Sequence, residues 1–304
     1  MRRAARNLIP VLLLLVPFVT RAQPSKVTKV EKVVDGVWMA TTDQGVNAGW
    51  ILAGDEVIAV DAGNDVATGK ALLEKISETT GKPVRYLIIT HAHGDHAGGA
   101  SAFVAAGAQI VCSENAAPAL AAFASAPPKP RLSMLAFSER FAMFGARQRV
   151  AIYFLGAAHS AGDIVVLLPD QKVLFSGDLA LGKRVPYMQS PDVNPKGWEN
   201  TLAKLALLDI EKVVPGHGIL GTRQWIGDTS SYVKKVNELA QLFVTEKVPE
   251  DLIEARLRRQ DTGLDAAAIT PDLIANIRAV MRAETPKPSA PAPKPSKAPS
   301  GKKS

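Results

Sequence analysis

Only one cysteine, Cys112, occurs in 304 residues, so no intramolecular disulfide can form and an oxidising compartment would supply no covalent staple. Cys112 lies in the apolar run Gln109-Ile110-Val111-Cys112 and is expected as a small buried core residue rather than a reactive thiol. Long apolar runs are lacking too. The stretch Leu8–Val19 falls short of the ~20 residues that span a bilayer, which excludes a membrane span in the mature chain. A basic face is also missing, although the formal charge is +7. Arg2, Arg3, Arg6 and Arg21 cluster at one end, and Lys287, Lys294, Lys297, Lys302 and Lys303 at the other. The rest holds 27 basic against 29 acidic residues. A near-neutral body has no excess with which to build a nucleic-acid footprint, so no nucleic-acid partner is expected.

Basic Met1–Arg6, the apolar stretch to Val19 and small residues Thr20 and Ala22 read as a signal peptide covering 1–22. A buried helix there would be interrupted by Pro10 and Pro17. No cysteine follows the stretch, which argues against a lipid anchor. Periplasmic or secreted location is therefore expected. Residues 284–304 are rich in Pro, Lys, Ser and Ala, cannot bury a core, and are expected to stay disordered. Residues 23–283 remain as one catalytic domain with a helical C-terminal part.

An apolar fraction of 47% supports a globular core. Short apolar runs broken by Asp35-Gly36 and other glycines predict strands at 33–38, 49–52 and 57–60. Helical spacing covers Thr68–Thr79, closed by Gly81, and Val84–Ile89 is a buried strand. A small-residue helix at Gly98–Ala106 and a strand around Val111 follow. After Glu114 comes an apolar helix that Pro127-Pro128-Lys129-Pro130 cannot continue. Strands at 150–155, 164–168 and 173–176 precede an amphipathic helix at 198–208 and a strand at 212–214. From Asp228 the chain reads as helical, with Thr270 as N-cap and Pro271 at the first position of the last helix. Two strand blocks, each followed by helices, predict two sheets face to face with helices outside.

The chain has five histidines. Three stand in His91-Ala92-His93-Gly94-Asp95-His96, directly after the strand at 84–89. Alternation with small residues lets the His91 and His93 rings point into one space, and Gly94, Gly98 and Gly99 let the backbone turn closely. His159 and His217 each follow a strand in a Gly-rich turn, and Asp178 ends the strand in Phe175-Ser176-Gly177-Asp178. Taken singly, these three would read as hydrogen-bonded turn residues. Together with the cluster they form a metal-site pattern that leaves no histidine over.

These motifs, with Val60-Asp61-Ala62-Gly63 upstream, resemble in order those of the metallo-β-lactamase superfamily. The resemblance implies an α/β fold, a four-layer αββα sandwich with a dimetal site at one edge of the sheets. It implies a zinc ion held by His91, His93 and His159, a second held by Asp95, His96 and His217, Asp178 bridging them, and Asp61 bracing the histidine loop. Two such ions can share a hydroxide that attacks an ester, thioester or lactam carbonyl, with Asp95 as the catalytic proton carrier. A small-molecule substrate is implied; no motif specifies an oligomeric state.

Within the superfamily, Gly156–Asp163 is similar to the lactamase segment around the third histidine. Two features depart from lactamases. One lactamase group places Cys at the Asp178 position and Arg at the His96 position, and another lacks the bridging carboxylate. His96 with Asp178 is a set shared by thioesterases and broad hydrolases. The stretch from Val173 through Gly182-Lys183-Arg184-Val185-Pro186-Tyr187 to His217 most resembles exported zinc metallohydrolases associated with quinoprotein and sulfur-oxidation systems. Alternatives are a strict β-lactamase, and a mononuclear iron enzyme like persulfide dioxygenases. Lys183 and Arg184 could hold a substrate carboxylate or be a solvated pair. The apolar set Met134, Leu135, Phe137, Phe141, Met143 and Phe144 could roof the site or, more commonly, pack into the core. No Lys, Tyr and Arg glutathione clamp is evident.

Overall fold

The computed structural model describes residues 27–123, 133–145, 148–259 and 262–284. The expected signal segment at 1–22, the Pro127–Pro130 breaker and, apart from Glu284 at the end of the last helix, the expected tail at 284–304 lie outside the described residues. A seven-stranded sheet runs in chain order through β1 (Val27–Val34), β2 (Val37–Thr42), β3 (Asn47–Leu52), β4 (Val57–Val60), β5 (Val84–Ile88), β6 (Gln109–Ser113) and β7 (Met134–Phe137). Its first four strands are antiparallel, β1 and β2 joined through Asp35-Gly36, where Gly36 takes φ 72°. From β4 onward the pairing is parallel, because a helix crosses over between strands. The first crossover is α1 (Val66–Thr80). Asp65 caps its start by accepting from Thr68 N, and Gly81 ends it at φ 62°.

The second sheet has six strands in the order β13 (Gly221–Thr222), β12 (Lys212–Pro215), β11 (Val173–Gly177), β10 (Ile164–Leu168), β9 (Arg149–Phe154) and β8 (Arg140–Phe144). Only β11 and β12 are parallel, joined by α5 (Pro195–Leu205). The sheets pack face to face: Met39, Ile51, Ile58 and Ile88 of one meet Ile152, Val166, Val173 and Phe175 of the other. α1 and α3 (Ala100–Ala105) cover the outer face of the first sheet. α5, α6 (Gln224–Thr245), α7 (Ile253–Leu257) and α8 (Pro271–Glu284) cover the second. This is the expected four-layer αββα sandwich.

Local differences have local causes. The helix expected over Gly98–Ala106 divides into α2 (Gly94–Ala97) and α3, because Gly98-Gly99 favours a break. α6 begins at Gln224 rather than Asp228, since burial of Ile226 outweighs the helix cost of Gly227. The set from Met134 to Phe144 is not a lid over the site but packs largely into the core. It forms β7 and β8, turned at Ser138-Glu139, with Phe137 in the core between the sheets and Phe141 and Met143 packed against it. α4 (Ala117–Phe123) follows β6, and Cys112 is fully buried in β6, where burial pushes its thiol up to about 11. Among the described residues no helix is long and apolar enough to cross a membrane.

Candidate metal centre

Every histidine and three aspartates meet where strands of both sheets end on one edge. His91 follows β5; His93, Asp95 and His96 come from the turn into α2. His159 follows β9, Asp178 follows β11 and His217 follows β12. Side-chain atoms of His91, His93 and His159 lie within 4.8 Å of one another. So do those of Asp95, His96 and His217, and those of His91, His96 and Asp178. The two groups of three are those the sequence resemblance implied, and Asp178 stands between them. Its Oδ2 lies 3.5 Å from His159 Nε2 and 3.4 Å from His217 Nε2, and its Oδ1 3.4 Å from His96 Nε2.

What lies behind each ring decides what faces the centre. Thr90 Oγ1 donates to Asp61 Oδ2 (2.8 Å), so its oxygen is left to accept from His91 Nδ1 at 3.1 Å. His96 Nδ1 donates to Asp61 Oδ2 (2.9 Å), and His217 Nδ1 to the Gly45 carbonyl (3.1 Å). His93 Nε2 faces Asp192 Oδ1 at 3.5 Å. With the outer nitrogen protonated, His91, His96 and His217 point Nε2 lone pairs inward, while His93 turns Nδ1 toward His159. His159 Nε2 sits 3.0 Å from His93 Nδ1, and His96 Nε2 sits 3.4 Å from His217 Nε2. Converging lone pairs and carboxylate oxygens repel unless a cation lies among them. His91 Nε2 and Asp178 Oδ1 are buried without a hydrogen-bond partner among the described residues. The donor set fits a metal.

Proton affinities divide the cluster into two halves. Burial, with His96 nearby, holds His91 well below the ordinary imidazole value, and burial lowers His159 to about 4. Both rings are thus neutral at pH 7. Burial alone would depress His96, but Asp178 and Asp61 outweigh it and raise it well above the usual value. His217 behaves likewise: burial is outweighed by its bond to Asp95 (3.1 Å) and by Asp178. This half of the cluster attracts positive charge, proton or metal. Burial disfavours charge on Asp178, yet His96, His159 and His217 hold it well below the carboxylate range.

The scaffold explains the placement. Asp61, at φ 60°, accepts from Thr90 N (2.8 Å), Thr90 Oγ1 and His96 Nδ1, locking the ends of β4 and β5 to α2. α2 approaches the loop after β4 so closely that a Cβ on Gly98 would lie 1.8 Å from Asn64 O. The Gly98-Gly99 pair thus serves this backbone approach. A Cβ on Gly216 would collide with Asp178 Oδ1 at 2.1 Å, so only glycine lets β12 bring His217 beside it.

Three further residues were invisible to sequence spacing. Asp192 backs His93. Asn47, buried at the start of β3, donates from Nδ2 to Pro215 O and Gly218 O (both 2.9 Å), fixing the His217 turn from the other sheet. Trp198 is buried edge-to-face against His159 with ring centres 5.2 Å apart, its Nε1 donating to Leu179 O. The centre opens into a cleft of about 760 Å³ whose walls include Lys183, Arg184, Val185, Tyr187 and Asn276. Lys183 and Arg184 are both exposed on that wall, and none of the Met134–Phe144 set lines it.

Asp163 closes the His159 loop, accepting from Ser160 N (2.7 Å) and Ser160 Oγ (2.8 Å). Complete burial raises its carboxyl to about 7. The folded value exceeds the unfolded one (~3.9), so its stabilising contribution is full below the unfolded value and is lost as pH rises through about 7. The melting temperature of the native protein minus that of Asp163→Asn is expected to fall by on the order of 5 °C between pH 4 and pH 7.5. A difference that stays constant over that range would show that the carboxyl does not titrate there.

A four-layer αββα sandwich with a histidine–aspartate centre at the sheet edge defines a metal-binding protein of the class in which ions are held by loops at strand ends. The family model for the metallo-beta-lactamase superfamily matches residues 41–217, and the chain belongs to that superfamily. A curated relative, metallo-beta-lactamase type 2 of Elizabethkingia meningoseptica, is 27% identical over 162 residues, covering 51% of this chain and 63% of the relative. Metallo-beta-lactamase type 2 of Bacillus sp. (strain 170) is 28% identical over 181 residues, covering 59% and 68%. The chain thus spans less than two thirds of the first relative and slightly more of the second. Among solved structures, a metallo-beta-lactamase from Pontibacter korlensis superposes with a TM-score of 0.60 at 25% identity, covering 68% of this chain and 98% of that one.

Proposed function

We propose that the chain is an exported, two-zinc hydrolase that cleaves a small molecule at an ester, thioester or lactam carbonyl. The observation that carries this reading is the pair of three-donor groups with Asp178 reaching both. His91, His93 and His159 would hold one ion, and Asp95, His96 and His217 the other; nitrogen and oxygen donors suit zinc. Bound there, the pair supplies a water-derived nucleophile near neutral pH and positive charge for the carbonyl oxygen. Asp178, which reaches both groups, would be shared between them, and Asp61 fixes the His96 ring. Asp95, partly exposed to the cleft, stays ionised: burial would raise it, but its bond with His217 and the nearness of His96 lower it. Its carboxylate can take the proton of the attacking water and return it to the leaving atom. Lys183 and Arg184, exposed on the cleft wall, would hold a substrate carboxylate. Export rests on the N-terminal charge and hydropathy pattern.

Metal analysis and activity profiling of the mature protein test this together. About two zinc ions per chain and turnover of at least one class among nitrocefin, lactone esters and thioesters are expected. One iron per chain with oxygen consumption would favour oxygenase chemistry instead. A fully zinc-loaded protein inert on all three classes would remove the hydrolase reading.

A further inference from the structure

The region matched by the family model ends at residue 217, yet one wall of the cleft is held by a residue far beyond it. Along Val185-Pro186-Tyr187-Met188-Gln189 exposure alternates: Val185, Tyr187 and Gln189 are exposed and line the cleft, while Pro186 and Met188 are buried. A short segment with no strand partner does not hold such alternation unaided. Asn276 of α8, 1% exposed, supplies the missing partner. Its Oδ1 accepts from Met188 N (3.1 Å) and Gln189 Nε2 (3.4 Å); its Nδ2 donates to Pro186 O (2.7 Å) and Tyr232 Oη (3.0 Å). One amide thus imitates a strand edge for the wall and is itself positioned by a tyrosine of α6. Burying an amide is costly where Leu273, Ile277 and Val280 of the same helix pack as hydrocarbons, and the cost is offset only by these four bonds.

The geometry points to Asn276 as a positioning residue for substrate recognition: it pins residues 186–189 so that Val185 and Tyr187 offer an apolar face to the acyl portion of the substrate. Val185 and Tyr187 are 44% and 54% exposed, large side chains left open on a cleft wall. The wall lies beside Lys183 and Arg184, so the site would select a substrate with a hydrocarbon or aromatic acyl group next to an anionic one. The substrate half of this inference rests on the hydrolase reading above; the pinning of the wall does not.

Two measurements on the metal-loaded, full-length chain test it. In Asn276→Ala, amide exchange of Met188 is expected to accelerate at least about tenfold with metal content retained, because the acceptor of that amide is gone. Tyr232→Phe, which removes only the brace on Asn276, should give a smaller acceleration at the same amide. Unchanged exchange at Met188 in Asn276→Ala would overturn the positioning role. The second measurement compares p-nitrophenyl hexanoate with p-nitrophenyl acetate. The wild type is expected to prefer the longer ester, and both Asn276→Ala and Tyr187→Ala to lose about tenfold of that preference, chiefly through KM. Tyr187 is exposed, so its variant folds even if Asn276→Ala does not. A Tyr187→Ala protein with wild-type preference would overturn the apolar face. If the wild type cleaves neither ester, the hydrolase reading fails on these substrates, and Met188 exchange still decides the role of Asn276.

Discussion

Replacing Asp178 with asparagine is expected to lower metal content and turnover together, with turnover falling by more than the 10–100-fold typical of a residue that acts only from behind a ligand. The substitution preserves volume, so packing around the 7% exposed side chain is little disturbed. What changes is charge and one atom. The carboxylate stands 3.4–3.5 Å from the inward nitrogens of His96, His159 and His217. An amide there removes the negative charge shared by the two donor groups and turns one oxygen into an N–H donor, which a cation would repel. If Asp178 is the ligand common to both groups, zinc measured after gel filtration should fall below one per chain, with the fold retained by circular dichroism. Full occupancy with an unchanged rate would show that Asp178 does not join the two groups.

How far the site could be read from sequence follows from where its parts lie. The cluster His91–His96 is local, and a strand before it and glycines around it make its purpose visible. His159, Asp178 and His217 are distant in sequence but repeat one grammar, a buried strand followed by a polar residue in a Gly-rich turn, and strands of stacked sheets deliver their ends to a common edge. Asp35-Gly36, the Gly81 stop and the Thr270-Pro271 start, where Thr270 Oγ1 accepts from Leu273 N, are likewise local chemistry and appear as read. Asn47, Asp192 and Asn276 share no such pattern. Each acts across the fold, Asn276 on backbone groups 88 and 90 residues away, and an isolated Asn or Asp looks like any turn or surface residue until the sheets are stacked. The β7–β8 apolar set was ambiguous for a different reason. Short runs with mixed spacing serve strand or helix equally, and only the alternation imposed by the intersheet core decides.

Asp61 is the residue whose removal should cost stability as well as metal. Its side chain does not reach the centre; it accepts two bonds from Thr90 and one from His96 while 3% exposed. Asp61→Ala strands the Thr90 amide and the His96 Nδ1–H in a buried place, each worth ~1–3 kcal/mol. It also sets a β-carbon without a helpful polar group at φ 60°, a further ~1–2 kcal/mol. Unfolding free energy should therefore fall by about 4 kcal/mol, and zinc affinity by about 10–100-fold, since His96 is free to rotate or to present its other nitrogen. Asp61→Asn separates the two effects. Asparagine tolerates the left-handed backbone and keeps one oxygen to accept from Thr90 N, so most of the stability should return. Its NH2 now faces His96, which must offer a lone pair at Nδ1 and carry the proton on Nε2, the wrong way round for a metal. A near-normal melting temperature with depleted metal at the His96 site, and a ¹⁵N imidazole spectrum showing the switched tautomer, is the expected signature. Restoration of metal together with stability would mean that Asp61 holds the fold alone and leaves the His96 ring to find its own orientation.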